Sequence, residues 1–227
     1  MCFIRLLLSL SLPLFAFVVS CRSPENAEPQ TPLQTDFDAS VPDGGELAPI
    51  AACAADGRYT FNNNFSPYFG GASEPLVEVN HFSSFYCPHC ADFAAYTHAR
   101  WQNRAEYENS VRIYFHHANL GYRHFAAAAA ANQGMEYFWA LHDFIYAEML
   151  ANSGPSDAEI DSYVENTLKL DMVRFEEDTH SKKTLDFLSW DINQGLDAGM
   201  VGTPTVFVCG DPMDNWTYLE DYIDAEL

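Results

Sequence analysis

Basic residues are scarce in this sequence. It has 11 lysines and arginines against 32 aspartates and glutamates, which gives a formal net charge of -21 over 227 residues. A surface this negative repels nucleic-acid phosphates and anionic lipid headgroups, so the composition argues against both as direct partners. The acidic excess indicates a role in solubility instead.

Long apolar runs are scarce as well. One stands at the amino terminus, where Arg5 precedes the apolar residues 6–19. The run is too short for a stable transmembrane span, and its basic start and small-residue end are typical of an export signal. We therefore predict a signal peptide over residues 1–20 that is removed on maturation.

The end of this signal, VVSC at residues 18–21, resembles a bacterial lipobox. We expect Cys21 to carry lipid, because a lone exported cysteine at that junction would otherwise be a liability. A single acyl chain binds membranes only marginally, so the multiple chains of a lipoprotein would make the anchor stable. An ordinary signal cut near Ser20, which would leave Cys21 as a spare thiol, is the alternative. The predicted location is extracytoplasmic, in the periplasm, at a bacterial membrane.

Large apolar residues are few in the stretch that follows, residues 21–57, which is rich in Pro, Glu, Asp, Gln and Ala. Such a composition cannot bury enough surface to offset the entropy lost on ordering, so this stretch is predicted to be a flexible tether. The remaining residues, 58–227, are enough for one folded domain.

Cysteine is limited to six residues, and two of them lie at or before the predicted cleavage junction. Export would place the other four where disulfides form and persist. Four thiols allow three full pairings. If Cys87 pairs with Cys90, the second bridge left is Cys53 with Cys209.

The folded part opens with two strand candidates, residues 58–61 and 75–85. A helix is predicted from Pro88, a residue that the first helical position tolerates, to about Asn109. A third strand is predicted over residues 111–118. Strand, helix and strand in this order indicate a parallel pair with a right-handed crossover.

A block of helices is predicted next, over about residues 122–198. It contains an alanine run at residues 126–131, which favours helix, and a capping box at Ser156 and Glu159. Its aromatic residues are most simply core, with a substrate groove as the alternative. The apolar face of its last helix is predicted to consist of Leu185, Leu188, Ile192 and Leu196.

Strand-forming residues return in TPTVFVCGD, residues 203–211, and a final helix is predicted to begin at Thr217 with Glu220 in a second capping box. The order is thus a βαβ unit, a block of helices, and a ββα unit. This order predicts an α/β protein with a thioredoxin fold and an inserted helical subdomain.

The segment FYCPHC, residues 85–90, carries the candidate chemistry. A cysteine attacks disulfides as the thiolate, and Cys87 stands where free N–H groups and the helix dipole favour an anion. His89 can add a donor or a positive charge. Cys90, one turn into the helix, suits a resolving role. Stabilising the thiolate stabilises the dithiol, which makes the disulfide form a stronger oxidant.

FSSFYCPHC after a buried strand, with VGTPTVFV at residues 201–208, resembles the DsbA family of extracytoplasmic thiol-disulfide oxidoreductases. The resemblance covers roughly residues 58–227. It implies that Cys87 is the nucleophile and that Cys90 is the resolving thiol. It also implies a catalytic motif completed by Pro88 and His89.

The same resemblance implies that Pro204 is a cis-proline beside the cysteines, with Thr203 offering its backbone to an extended substrate segment. Family members often carry a buried acid six residues before the first cysteine, where this chain has His81. We hypothesise that His81 replaces that acid in proton transfer at Cys90.

The partners implied by the resemblance are reduced exported proteins and a membrane reoxidase of the DsbB type; no cofactor is implied. The function predicted is donation of disulfides. A reductase or isomerase of the same fold and a non-catalytic peptide- or metal-binding module are the alternatives.

A zinc site is a further alternative for a C-x-x-C pair, but it needs two more ligands and no second C-x-x-C exists. A structural staple across so small a loop would contribute little. Four other histidines are predicted to be structural or surface residues and not ligands: His116, His117, His124 and His142.

Overall fold

The computed structural model describes Cys53 and residues 58–70, 75–101 and 104–227. The predicted signal peptide, the lipidation residue Cys21 and all of the predicted tether except Cys53 lie outside these residues. Within the described part of the chain, no helix has both the length and the apolar character needed to cross a bilayer.

Five strands form one sheet. They are β1 (Tyr68–Phe69), β2 (Val77–Ser83), β3 (Val111–His117), β4 (Thr205–Val208) and β5 (Asp211–Pro212). The α-helices described are α1 (Pro88–Trp101), α2 (Ala105–Ser110), α3 (Tyr122–Ala131), α4 (Met135–Ala151), α5 (Asp157–Tyr163), α6 (Met172–Thr179), α7 (Lys182–Asp197) and α8 (Leu219–Glu226). A π-helical turn, Val164–Leu168, follows α5, and a 3-10 turn, Trp216–Tyr218, precedes α8.

The sheet order is β1-β3-β2-β4-β5. Strands β2 and β3 run parallel, from Val77 opposite Val111 to Ser83 opposite His117, and β4 pairs antiparallel with the other edge of β2. The predicted strand, helix, strand unit is therefore confirmed. Because β2 is the central strand, its carboxyl end is flanked by β3 and β4. The chain continues from this end through residues 84–87 into α1.

Along the sequence, helices α3 to α7 come between β3 and β4, as the predicted helical insertion requires. Helix α3 is central among them and contacts α4, α5, α6 and α7. Its six alanines, residues 126–131, are all buried. Side chains this small let the neighbouring helices approach closely, so the alanine run serves packing as well as helix propensity. The α/β thioredoxin fold with a helical insertion is confirmed.

Two elements in the first part of the folded domain differ from the prediction. Residues 58–61 form no strand; Phe61 instead packs on Phe82 and Phe207, with ring centroids 5.5 and 4.9 Å away. Its apolar character reflects burial over the sheet. The helix predicted to run from Pro88 to Asn109 is two helices, because Arg104, directly before α2, has a non-helical backbone with φ -119° and ψ 87°.

The predicted apolar face of α7 is also wrong. Leu188 is fully buried, but Leu185 is 41% exposed and Leu196 is 56% exposed. The buried face is shifted around the helix and includes Asp191 and Gln194. The spacing of apolar residues does not predict this face, because two of its members are polar. Asp191 accepts a hydrogen bond from His117 N of the sheet, and Gln194 accepts one from Asn62 N.

Of the two predicted capping boxes, one is confirmed and the other is wrong. The capping box of Ser156 and Glu159 at α5 is confirmed. The box predicted at Thr217 is wrong, because Asn215 Oδ1 accepts from Thr217 N at 3.0 Å and caps the 3-10 turn. Helix α8 then begins only at Leu219.

Buried side chains pack on both faces of the sheet, because successive residues of a strand point to opposite faces. One face carries two clusters: one joins α1, α3 and α4 and contains Cys90, and the other packs against β2, β3, β4 and α8 and contains Cys209. On the opposite face, Phe82 and Phe207 pack with Phe61. A disulfide joins Cys209 to Cys53 across 156 positions of sequence. Part of the predicted tether is therefore fastened to the folded domain.

Candidate active site

The first turn of α1 begins directly at Cys87. The Cys87 carbonyl accepts hydrogen bonds from Cys90 N at 3.0 Å and Ala91 N at 3.3 Å, while Cys87 N donates to Ser84 O at 3.0 Å. Cys87 is thus the capping residue and Pro88 the first helical residue. Its sulfur stands at the positive end of α1, where free backbone N–H groups favour an anion.

The chain segment before β4 meets this cysteine. The Thr203–Pro204 peptide bond is cis, and the Cys87 thiol donates a hydrogen bond to Thr203 O at 3.3 Å. The two motifs that lie far apart in sequence are therefore adjacent in space. An extended peptide bound at the Thr203 backbone would bring its own sulfur to Cys87.

Cys90 lies behind Cys87 and is fully buried. Burial raises the pKa of its thiol to about 11, although hydrogen bonds from the Ser83 side chain, the Ser84 backbone and Thr203 oppose this rise. The Ser84 N–H donates to Cys90 Sγ at 3.4 Å. Both cysteines are free thiols, and Cys87 is the more accessible of the two.

His89, between the two cysteines, is exposed and lies near an aspartate. Its side chain is 77% exposed, and its Nδ1 lies 3.6 Å from Asp92 Oδ2 one turn further along α1. The role of His89 as a donor or a charge beside the cysteines stays a prediction.

Two adjacent side chains of α3 hold the segment before Cys87, and the sequence did not single them out for this role. Arg123 Nη1 donates to Phe85 O at 2.8 Å, and His124 Nε2 accepts from Phe85 N at 3.1 Å. Both backbone groups of Phe85 are thus satisfied by the helical insertion. The sequence did contain a signal for this role: an arginine and a histidine stand at the start of an alanine-rich helix. A charge buried among such small apolar residues needs hydrogen-bond partners.

Arg123 also reaches the chain between α4 and α5, where its Nη2 donates to Pro155 O at 2.7 Å. Gly154 nearby has a φ of +82°, and a Cβ there would lie 2.3 Å from the guanidinium. The glycine therefore supplies both the left-handed turn and the space for Arg123.

A second pair of missed residues lies on the inner side of Cys90. The Ser83 and Tyr146 hydroxyls are 2.5 Å apart, and both residues are buried. Ser83 is the last residue of β2 and Tyr146 is in α4. No local motif announces this contact, because it depends on how α4 packs against the sheet.

His81, the hypothetical proton-transfer residue, is buried beside α1. Its ring centroid is 4.0 Å from that of Phe93, and its Nε2 has no hydrogen-bond partner. Burial, followed by the nearby His142 and His116, lowers the pKa of His81 well below its usual value. The ring is therefore neutral at pH 7, and its role in proton transfer stays a prediction.

The histidines at the end of β3 form a buried polar network, consistent with the structural role predicted for them. His116 Nδ1 lies 2.6 Å from Asp191 Oδ1 and its Nε2 lies 2.8 Å from Asn80 Oδ1. His117 Nδ1 contacts His124 Nδ1 at 2.9 Å. Among the described residues, no group of His, Cys, Asp and Glu has an arrangement that could hold a metal ion.

Comparisons with known proteins agree with this geometry. The family model described as thioredoxin matches residues 64–225. A probable disulfide bond formation protein D from Bacillus cereus is 26% identical over 170 residues, which cover 69% of this chain and 77% of that protein.

Solved structures show the same fold. Oxidised BdbD from Bacillus subtilis has a TM-score of 0.60 at 18% identity, covering 71% of this chain and 92% of that one. DsbA2 from Pseudomonas aeruginosa has a TM-score of 0.54 at 20% identity, covering 71% and 94%. Since the family model spans most of the chain, this protein belongs to the thioredoxin family, with DsbA-type proteins among its structural neighbours.

Proposed function

We propose that the protein is an extracytoplasmic thiol-disulfide oxidoreductase that donates a disulfide to cysteine pairs of exported proteins. The observation that carries this proposal is the contact of the Cys87 thiol with Thr203 O, 3.3 Å away and directly before the cis Pro204. It gives an accessible sulfur beside a strand-like peptide-binding backbone, with Cys90 buried behind it. The disulfide-forming role in the name of the Bacillus cereus relative supports the same reaction class.

The reaction starts from the Cys87–Cys90 disulfide. A substrate thiolate attacks Cys87 Sγ, a mixed disulfide forms, and the Cys87–Cys90 bond breaks with its electron pair leaving on Cys90 Sγ. A second substrate thiolate then attacks the substrate sulfur and releases Cys87 as thiolate. The substrate has lost two electrons and two protons in total, and the enzyme is left as the dithiol.

The direction of electron flow follows from the placement of Cys87. A thiolate at the start of α1 is favoured by the helix dipole, and this stabilises the dithiol relative to the disulfide. The disulfide is therefore an oxidant. To act again it needs a membrane reoxidase, for which the resemblance to the DsbA family suggests a DsbB-like partner.

The equilibrium of the Cys87–Cys90 pair with glutathione tests this direction. Trypsin would release residues 59–100, which hold these two of the six cysteines and no others, so acid quenching, alkylation and mass spectrometry can follow the pair in the full chain. We expect the pair to stay reduced until the buffer is strongly oxidising. A pair that stays oxidised in reducing buffer would contradict disulfide donation and favour a reductase.

A further inference from the structure

Cys90 must accept a pair of electrons in a place where an anion is costly. It is fully buried, and when the Cys87–Cys90 bond breaks its sulfur leaves as a thiolate. A buried anion needs hydrogen-bond donors aimed at it. Any donor present before the bond breaks lowers the barrier, because the charge develops in the transition state.

The donors near this sulfur come from the end of β2. Ser84 N donates to Cys90 Sγ at 3.4 Å. Burial raises the pKa of the Cys90 thiol, and hydrogen bonding by the side chain of Ser83, the residue before Ser84, opposes that rise. A serine hydroxyl donates more strongly when its own oxygen accepts a hydrogen bond. The Tyr146 hydroxyl, 2.5 Å from Ser83 Oγ, is placed to supply that bond.

Tyr146 is suited to donate and not to ionise. Its ring is buried between Phe85 and His142, with centroids 5.1 and 4.8 Å away. Burial, followed by the charges of Cys90 and Cys87, raises its pKa well above the usual value. The proton therefore stays on Tyr146, which points toward the Ser83 oxygen as a fixed dipole.

We propose that Ser83 and Tyr146 form a two-hydroxyl chain that stabilises the Cys90 thiolate as it leaves the Cys87–Cys90 disulfide. In this arrangement the Ser83 hydroxyl donates to the reacting sulfur, and Tyr146 acts through Ser83 as a positioning residue. No proton is transferred along the chain. The thiolate takes up its proton later, from solvent water, when the dithiol is complete.

The proposal rests on the thiol-disulfide chemistry of the proposed function, but it holds for either direction of electron flow. Cys90 is a leaving thiolate when the enzyme oxidises a substrate and an attacking thiolate when it reduces one. The same two hydroxyls stabilise it in both cases.

Two variants from different elements test the chain: Tyr146→Phe in α4 and Ser83→Ala in β2. Ser83→Ala should slow reduction of the Cys87–Cys90 disulfide by dithiothreitol about tenfold, the loss expected for one hydrogen bond to a charged group. Tyr146→Phe should slow it by about twofold, because Ser83 keeps its hydrogen bond and loses only the strengthening that Tyr146 supplies. In a Cys87→Ser background Ser83→Ala should also raise the pH at which Cys90 ionises by about one unit, read as an about tenfold slower alkylation of Cys90 at a fixed pH below its pKa, and Tyr146→Phe should change it in the same direction by less. The titratable groups that face this pair are Cys87, directly before α1, and His142 on α4.

The double variant distinguishes a chain of two hydroxyls from two hydroxyls that act independently. If Tyr146 acts through Ser83, then Tyr146→Phe should cost no further rate in the Ser83→Ala background. Tyr107→Phe is the matched control, because it removes a hydroxyl from another buried ring whose partner, Asp224, lies 2.6 Å away and outside the site. It should leave both the rate and the Cys90 ionisation unchanged.

Unchanged ionisation and rate in both single variants would overturn the proposal, as would fully additive losses in the double variant. The glutathione equilibrium of the unmodified protein reports the proposed function separately. If the Cys87–Cys90 pair is strongly reducing but the variants slow exchange as expected, disulfide donation is refuted and the role of the two hydroxyls stands. If the pair is oxidising but the variants change neither rate nor ionisation, the role of the two hydroxyls is refuted and disulfide donation stands.

Discussion

At the scale of single residues, Cys87 and Cys90 differ in their access to solvent. Cys87 is half-buried whereas Cys90 is fully buried, so a partner sulfur can reach Cys87 alone. With Cys90→Ser, glutathione disulfide should therefore leave a stable mixed disulfide on Cys87, because nothing remains to resolve it. Mass spectrometry of the tryptic fragment measures the adduct.

With Cys87→Ser, no adduct should accumulate and exchange should fall to the uncatalysed rate. An equally fast adduct at Cys90 in that variant would contradict the assigned roles of the two cysteines.

His81 carries two separable expectations. The hypothesis that it moves a proton at Cys90 predicts slower exchange and a changed pH profile in His81→Leu. Stability has its own pH dependence: the folded ring stays neutral while the unfolded ring takes a proton below about pH 6.5. Stability contributed by neutral His81 is therefore lost as pH falls through that value, by up to about 1.4 kcal/mol per pH unit.

The His81→Leu variant lacks that loss, so its stability relative to the unmodified protein should rise as the pH falls below about 6.5. Urea unfolding at several pH values measures it. An unchanged exchange profile together with this stability gain would make His81 a packing residue and dismiss the proton-transfer role.

The site residues that the sequence could predict are those announced by local motifs. The CPHC segment and the Thr203–Pro204 dipeptide each carry their chemistry within a few positions. Ser83, Tyr146 and Arg123 could not be predicted, because their partners are set by how α3 and α4 pack on the sheet. Nothing in the alternation of apolar and polar residues encodes such a contact.

At the scale of elements, α7 is fixed to the sheet by one carboxylate. Asp191 Oδ1 lies 2.6 Å from His116 Nδ1, and Oδ2 accepts from His117 N at 2.5 Å. Asp191→Ala would remove the partner of His117 N and leave His116 Nδ1 with the Ser66 hydroxyl, 3.4 Å away. We expect it to lower the free energy of unfolding by about 3–5 kcal/mol, measured by urea denaturation.

The control on the same helix is Asp186→Ala, which removes the exposed ion pair with Lys182. That loss should be within about 0.5 kcal/mol, because exposed i,i+4 pairs contribute little. Equal effects of the two substitutions would contradict a structural role for Asp191.

Element positions were predicted well where the pattern is strong and poorly where polar residues enter the core. The positions of helices α3 to α7 and of strands β2, β3 and β4 follow from apolar periodicity and from the glycines and prolines that end each element. The buried face of α7 does not follow from that periodicity, because Asp191 and Gln194 face inward and Leu185 and Leu196 face outward. A hydrophobic pattern alone favours the opposite face.

At the scale of the whole molecule, the Cys53–Cys209 disulfide closes a loop of 156 positions. In the chain-entropy view so long a loop gives a stabilisation of about 5 kcal/mol. The Cys53→Ala/Cys209→Ala variant should lose roughly 4–5 kcal/mol in urea unfolding while the exchange rate at Cys87 stays within about twofold. A variant as stable as the unmodified protein would show that the loop is already restrained in the unfolded chain.

The membrane anchor is a proposal for the part of the chain outside the described residues. We expect Cys21→Ser to move the protein from the membrane fraction to the soluble extracytoplasmic fraction and to abolish incorporation of labelled fatty acid, because several acyl chains are needed for stable attachment. The Cys2→Ser variant is the control and should stay membrane-bound. Retention of Cys21→Ser at the membrane would refute lipidation as the anchor.

Arg123 shows why the helical insertion is not a detachable module. Its guanidinium links Phe85 O, two positions before the nucleophile, to Pro155 O between α4 and α5. A minimal enzyme made by excising residues 122–198 would keep the cysteines, the cis-proline and the strands. It would lose the scaffold that sets the angle of the reactive loop, so evolutionary or engineered trimming of this family member should stop short of α3.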